Sequence, residues 1–376
     1  MHHSGPEMSS QKSVPFPSLP CHRLRYDGPS PVHQFGQNLL SHAGNDPFTI
    51  RTWMKREDQA TPMMCSGNKY RKLEYIIPDI LTTPKVTTVV TEGGLQSNHA
   101  AQVSAVAAKL GLECVLLLNE ESGGLVTCKN QAIFRSTGNF QIYKLLGADI
   151  KVYPGSYDKS AILGALRSEG GVPYWIPMGA STHPLGGLGY AACASEIKAQ
   201  EETLRLPGSG RFDYIFLACG SGSTLGGLVA GFKRLEGDDE TARASKVPRQ
   251  LVGIMISHKS AFEKNVLDIA KTAGGLIGLD DDALTLDGIR LDLRFVGPGY
   301  GVFDQDTHHV LQRVARSEGV LMDPVYSGKA MRGMIHWIES GELQADALKV
   351  GHSPGSQVNV LFLHTGGQTV FSGYAS

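Results

Sequence analysis

Three short segments carry residue types that could do chemistry together. Ser66-Gly67-Asn68-Lys69-Tyr70-Arg71-Lys72 places three cations within four residues, just ahead of a helical pattern at Leu73–Ile80. An amine at such a turn becomes a nucleophile or base when a dry pocket beside another cation lowers its pKa, and it can equally sit solvated and inert. Gly220-Ser221-Gly222-Ser223-Thr224 follows the apolar run Tyr214–Ala218 and opens a second helical pattern. Strand, glycine turn and helix in that order aim backbone N–H groups and hydroxyls at an anion, with a plain Gly/Ser turn as the competing reading. A dinucleotide turn needs an acidic residue at the end of the next strand, which reads Met255-Ile256-Ser257, and the Lys-Ser/Thr pair of a P-loop is missing. The favoured occupant is a phosphate without a ribose partner. Gly93-Gly94-Leu95-Gln96-Ser97-Asn98-His99 joins a strand to a helix, so Ser97 and Asn98 stand where short polar side chains and free N–H groups can take a carboxylate or a ring oxygen.

A lysine, a phosphate cup and a carboxylate cup suggest one cofactor, pyridoxal phosphate held as a Schiff base on Lys69 and used as an electron sink.

The elements that must position these segments are legible as alternation. Short β-branched runs and helical patterns succeed one another: Val86–Thr91 then Ser97–Leu110, Cys114–Leu118 then Lys129–Leu146, Ile150–Tyr153 then Lys159–Ser168. A second series places a helix at Leu188–Ala199, Tyr214–Cys219 before Leu225–Leu235, Leu251–Ile256 before Ala261–Ala273, a helix at Asp306–Ser317 and the strand Val358–His364. Parallel strands need such crossovers, so the expected class is α/β with two open parallel sheets. Segments 236–249 and 344–357 read as surface loops. Glycine clusters at 93–94, 220–227, 297–301 and 366–367 fall at strand ends, where open α/β folds place ligands, although each cluster alone could simply turn the chain.

The 376 residues suffice for two domains, and 35 Lys plus Arg against 36 Asp plus Glu, without long blocks of one sign, point away from nucleic acid and acidic membranes. Six scattered cysteines (Cys21, Cys65, Cys114, Cys128, Cys193, Cys219) form no C-x-x-C pair and no zinc-type cluster, so reduced thiols and no metal are expected. Residues 1–20, polar and rich in Ser and Pro, are expected to be disordered or extended and show no export signal. No apolar run approaches the roughly 20 residues of a membrane span. A cytoplasmic enzyme acting on a small molecule is the expectation.

With these segments in view, the chain resembles the fold-type II pyridoxal-phosphate enzymes that comprise 1-aminocyclopropane-1-carboxylate (ACC) deaminase and D-cysteine desulfhydrase. The resemblance rests on Ser66–Tyr75, Gly93–His99, His183-Pro184-Leu185-Gly186-Gly187-Leu188-Gly189-Tyr190, the cup at 220–227, Gly299-Tyr300-Gly301 and Asp323-Pro324-Val325-Tyr326-Ser327-Gly328-Lys329. These span most of residues 60–370 in the family's order, and nothing comparable covers residues 1–30. It implies a tryptophan synthase β-like architecture: a large domain from 1–71 and 183–376, a small inserted α/β domain from 72–182, the cofactor in the cleft, and a homodimer. It implies Lys69 as the Schiff-base lysine, and Lys72 with Gly220, Ser221, Gly222, Ser223 and Thr224 on the phosphate. Asn98 would meet the ring oxygen and Ser327 the ring nitrogen. Ser97, Asn98 and His99 would hold the substrate, with Tyr300, Tyr326 and Thr365 lining its pocket. Lys69, Ser97, Tyr300 and Tyr326 would be catalytic.

One departure selects between branches. ACC-opening members of the resembled family carry a glutamate and a leucine where this chain has Ser327 and Thr365. A carboxylate keeps the ring nitrogen protonated and the sink strong, whereas a hydroxyl only hydrogen-bonds it. That favours β-elimination from D-cysteine to pyruvate, ammonia and sulfide over ACC opening, although His183–Gly189 looks closer to the deaminases. Ala101 stands where the resemblance expects arginine, which keeps a biosynthetic β- or γ-substitution enzyme as a further alternative.

Overall fold

The protein is represented by a computed structural model that describes residues 18–37, 39–40, 47–120, 131–238, 247–258 and 262–374. Its strands are β1 (Val32–Phe35), β2 (Thr49–Arg56), β3 (Thr88–Gly94), β4 (Glu113–Asn119), β5 (Asp149–Tyr153), β6 (Pro173–Ile176), β7 (Tyr214–Cys219), β8 (Gln250–Met255), β9 (Arg290–Asp292) and β10 (Gln357–His364). The helices are α1 (Lys69–Thr82), α2 (Asn98–Leu110), α3 (Gln131–Phe134), α4 (Gly138–Leu145), α5 (Lys159–Ser168), α6 (Leu188–Leu204), α7 (Ser223–Asp238), α8 (Phe262–Leu276), α9 (Gln305–Glu318), α10 (Ser327–Glu339) and α11 (Glu342–Val350).

Six strands pair in the order β1-β2-β10-β7-β8-β9 and four in the order β5-β4-β3-β6. All pairings are parallel except the antiparallel edge β1–β2, an exception to the expected all-parallel arrangement. The central strands β7 and β8 are buried at every position, because helices cover both faces of the sheet. Strand period two divides β7 between two cores. Ile215, Leu217 and Cys219 pack with residues of α6, α7 and α8, while Tyr214, Phe216 and Ala218 pack with residues of α9, α10 and α11. In the four-stranded sheet, Val89, Cys114, Leu116 and Leu118 pack against α1, α2 and α4, and Val90, Val115 and Leu117 face α5.

The strands of the four-stranded sheet all lie within residues 72–182 and those of the six-stranded sheet outside it. Helix α1 begins at Lys69, so the expected domain boundary after residue 71 falls inside its first turn. Several sequence expectations need correction. The segment 344–357 is not all loop, because α11 occupies Glu342–Val350 and buries Leu343 and Ala347, an i, i+4 pair on one face. The helix expected from Lys129 to Leu146 is divided into α3 and α4 by a turn at Arg135–Thr137, and α7 runs on to Asp238 in what read as loop. Strands β1, β2, β6 and β9 and helix α10 were not anticipated. Residues 1–17, Cys128, Lys129, Asn130, Ala261 and the stretch 239–246 lie outside the described residues.

A buried ionic cluster fixes the start of α1. Arg71 pairs with both carboxylate oxygens of Glu57 and donates to Glu196 at 2.9 and 2.7 Å, while Lys55 reaches Glu196 at 2.6 Å. Arg71, Glu57 and Lys55 are all essentially inaccessible to solvent. Removing the guanidinium by Arg71→Met leaves Glu57 as a buried, poorly compensated charge, and is expected to cost about 3–5 kcal/mol in chemical denaturation. Arg71→Lys should recover only part of it, because an ammonium cannot make the forked contacts. A loss below about 1 kcal/mol for the Met variant would show that the cluster contributes little to stability.

Candidate active site

Parallel pairing brings the C-terminal ends of β3, β7, β8 and β10 to one side of each sheet, and a cavity of about 410 Å³ opens there between them. The turns after these strands line it: Gly93, Gly94, Ser97, Asn98 and His99 after β3, Gly220 to Gly222 after β7, Ile256 and Ser257 after β8, Thr365 and Gly366 after β10. An isolated bridge between Gly67 and Gly366, with the Asn68 N–H donating to the Thr365 carbonyl at 3.1 Å, ties the lysine turn to the end of β10.

Lys69 is the first residue of α1, and its Nζ donates to Asn68 Oδ1 at 2.8 Å and lies 5.9 Å from the Tyr326 ring centre. Burial pushes its amine down to about 8, with Asp323 acting weakly in the opposite direction. Lys72, one turn along and fully buried, donates to Ser223 Oγ at 2.7 Å and to the Gly179 carbonyl at 3.4 Å. Burial, reinforced by the charge of Lys69, holds it well below the ordinary lysine range. Two amines, Lys72 buried and Lys69 half-buried, thus share a wall, and none of the described residues that line the cavity is acidic.

That imbalance is the test of fit for pyridoxal phosphate. A phosphate dianion supplies the counter-charge that Lys72 lacks. The N-terminal turn of α7 supplies the rest of the cradle, with Gly220, Ser221, Gly222 and Thr224 on the wall and Ser223 behind it on Lys72. Gly222 has a φ of +91°, and a Cβ there would stand 3.1 Å from Val266 Cγ2. Thr224 Oγ1 accepts from Asn68 Nδ2 at 3.0 Å, so the cradle and the lysine turn are hydrogen-bonded to each other. The donors present fit a bound aldehyde phosphate. Gly222→Val or Thr224→Val is therefore expected to weaken cofactor retention roughly tenfold or more, measured by titrating the apoprotein. Native affinity in both variants would place the phosphate elsewhere.

Ser97 caps α2, its Oγ accepting from the Ala100 N–H at 3.2 Å, and the first turn of that helix opens on the cavity. His99 Nε2 lies 3.0 Å from Thr91 Oγ1, whose own proton goes to the Ile176 carbonyl at 2.7 Å. Nε2 is therefore the protonated nitrogen, and the Pro177 carbonyl is a further acceptor beside this ring. Burial, with Lys69 and Lys72 nearby, keeps this imidazole neutral, its pKa well below the ordinary value. The hydroxyls of Tyr300 and Tyr326 meet at 2.5 Å on the wall.

The sequence-expected residues converge with two exceptions. Ser223 stands behind the wall, and Ser327 is buried behind it, donating to Asp323 Oδ1 at 2.6 Å and accepting from the Asp323 N–H at 3.1 Å. Thr365, by contrast, faces the cavity. Ala101, on the core-facing side of α2, is buried and does not line the site. Sequence reasoning missed Asp323 as a site residue. Its carboxylate also accepts from the N–H groups of Val325, Tyr326 and Ser327, which seats the turn carrying Tyr326. The resemblance motif Asp323–Lys329 already contained it, with roles assigned only to Tyr326 and Ser327. Among the described residues no His/Cys/Asp/Glu group could hold a metal ion, and no helix is long and apolar enough to cross a membrane.

Comparison with known proteins agrees with this geometry. Residues 28–365 match the family described as pyridoxal-phosphate dependent enzymes. The chain is 36% identical over 356 residues to 1-aminocyclopropane-1-carboxylate deaminase of Burkholderia multivorans, covering 93% of this chain and 95% of that one. To the enzyme of the same name from Methylobacterium nodulans it is 37% identical over 354 residues, covering 92% and 94%. A crystal structure of an ACC deaminase homologue superposes with a TM-score of 0.71 at 28% identity, covering 94% of each chain.

Proposed function

We infer the function from the premise that the chain belongs to the pyridoxal-phosphate dependent enzymes, as a fold-type II member of the ACC deaminase kind. We propose that it deaminates a small amino acid by β-elimination, with D-cysteine as the preferred substrate and pyruvate, ammonia and sulfide as products. When bound, pyridoxal phosphate supplies an electron sink for the bonds at the substrate α-carbon. Lys72 and the 220–224 turn would hold its phosphate. The first turn of α2 would hold the substrate carboxylate. Lys69, with an amine titrating near 8, is suited to take the α-proton and return it near neutral pH. The Tyr300–Tyr326 pair would carry a proton beside the departing group.

The observation that carries the choice of reaction is the absence of any acidic side chain among the described residues lining the cavity. The wall beside the glycine pair offers the Thr365 hydroxyl, and the nearby Ser327 proton is committed to Asp323. A hydroxyl leaves the ring nitrogen without a charged partner, so the sink is weaker. A weaker sink suffices where an α-proton and a good leaving group are present. ACC deamination to 2-oxobutanoate is the second reading, supported by the names of the relatives at 36 and 37% identity. The deciding experiment is purified enzyme offered D-cysteine, L-cysteine and ACC side by side, with sulfide, ammonia and keto acid measured. Greater kcat/KM on ACC than on D-cysteine would overturn the preference proposed here.

A further inference from the structure

We propose that Asn139 is a positioning residue that sets which end of the Asn98 amide faces the cavity, and that Thr369 in the C-terminal turn Gln368–Tyr374 locks it. The inference rests on the reading above in which Asn98 meets the cofactor's ring oxygen.

Asn98 lines the cavity, and its amide can present either a carbonyl oxygen or an NH₂ to a ligand. Its neighbours remove the choice. Asn139 Nδ2 donates to the Gln96 backbone carbonyl at 3.0 Å, and a carbonyl can only accept, so this nitrogen must face that way. The same nitrogen donates to Asn98 Oδ1 at 2.8 Å. Oδ1 of Asn98 is thereby turned to Asn139, leaving Nδ2 without a partner among the described residues. On its other side Asn139 Oδ1 accepts from the Thr369 hydroxyl at 2.6 Å. The Cys65 sulfur also meets Thr369. Asn139 is wholly buried, so water cannot replace these partners.

The rest of the neighbourhood keeps the amides in register. The Asn139 N–H donates to Gln96 Oε1 at 2.9 Å, and Gln96 Nε2 donates to the Phe134 and Thr137 carbonyls at 2.7 and 3.0 Å. Gly367, with a φ of +102°, sits so close that a Cβ there would stand 2.7 Å from Asn98 Nδ2. The chain of donors runs Thr369 to Asn139 to Asn98 and ends on an N–H offered to an acceptor. An ionised ring oxygen is such an acceptor, and the arrangement favours its ionised form.

The test uses the full-length protein stripped of cofactor and titrated with pyridoxal phosphate, reading affinity and the pH at which the visible band changes. Asn139→Asp puts acceptors where the amide donated, so Asn98 must turn its NH₂ inward. We expect affinity to fall about tenfold or more and the band to titrate at higher pH. Thr369→Val, which replaces the donating hydroxyl with a methyl group, should do the same to a smaller extent, and Thr369→Ser should behave as native. Should Asn139→Asp fail to fold, the Val and Ser variants at 369 decide alone. Native affinity and titration in Thr369→Val and in any foldable Asn139→Asp, with both properties lost in Asn98→Ala, would overturn the positioning role and leave the Asn98 reading standing. An unaffected Asn98→Ala would overturn both.

Discussion

Lys69→Ala is expected to lower turnover by at least about a thousandfold, because one side chain provides both the covalent anchor and the proton acceptor. Borohydride should join pyridoxal phosphate irreversibly to Lys69 in the native chain and to no residue in the variant, as read by peptide mass. The pH dependence follows from burial. An amine titrating near 8 rather than at the ordinary lysine value of about 10.4 is roughly one-tenth neutral at pH 7, and only the neutral form attacks an aldehyde. The rate of capture should therefore rise about tenfold per pH unit up to pH 8 and level off above it. The depressed pKa also makes the folded protein bind fewer protons than the unfolded chain between 8 and the ordinary value, so this lysine adds stability as pH rises through that window. Turnover that survives Lys69→Ala, or capture that keeps climbing to pH 10, would remove Lys69 from its assigned place.

Much of this site was readable before any geometry was known, because its parts are local. A lysine turn, a glycine cup and a strand-to-helix loop each have a signature within a few residues, and parallel pairing then carries each loop to the same edge of a sheet. What was not readable depends on contacts between distant residues. Asn139 and Thr369 lie 230 positions apart and meet only because the C-terminal turn packs on α4. Arg71 reads as a third loose cation in its motif, yet it is almost wholly buried and paired, since Glu57 and Glu196 arrive from elsewhere. Helix α11 was missed for the opposite reason. Its nine residues are short for a helix and run into the Gly/Ser/Pro-rich stretch 351–356, and only the buried pair Leu343 and Ala347 reveals a face.

Ser327 shows what a correct segment leaves open about geometry. The resemblance sets it against the ring nitrogen; here its hydroxyl is bonded to Asp323 on both its donor and acceptor sides and stands directly behind the cavity wall, 3.5 Å from the Gly366 carbonyl. Thr365 does reach it, and its carbonyl holds the Asn68 N–H, so one residue both shapes the wall and seats the lysine turn. The two positions act on the reaction through different routes, Thr365 by contact and Ser327 by fixing the carboxylate beneath Tyr326.

That division sharpens the largest expected change in specificity. Ser327→Glu combined with Thr365→Leu should lower sulfide release from D-cysteine and raise 2-oxobutanoate release from ACC, moving the ratio of kcat/KM values by roughly tenfold to a hundredfold. This is the range expected for exchanging a neutral for a charge-assisted hydrogen bond at a buried site. Thr365→Leu alone removes the hydroxyl and supplies no charge, so it should reduce elimination without opening ACC. Ser327→Glu alone brings a second carboxylate against Asp323, now bonded to the serine at 2.6 Å. Two such groups ionise together only if a cation lies between them, so without cofactor the single variant should bind an extra proton and melt lower than native. Pyridoxal phosphate with a protonated ring nitrogen would offset that repulsion, and the variant should consequently gain more thermal stability from the cofactor than the native chain does. A double variant whose substrate ratio stays at the native value, with cofactor still bound, would show that the choice between elimination and ring opening is made elsewhere in the cavity.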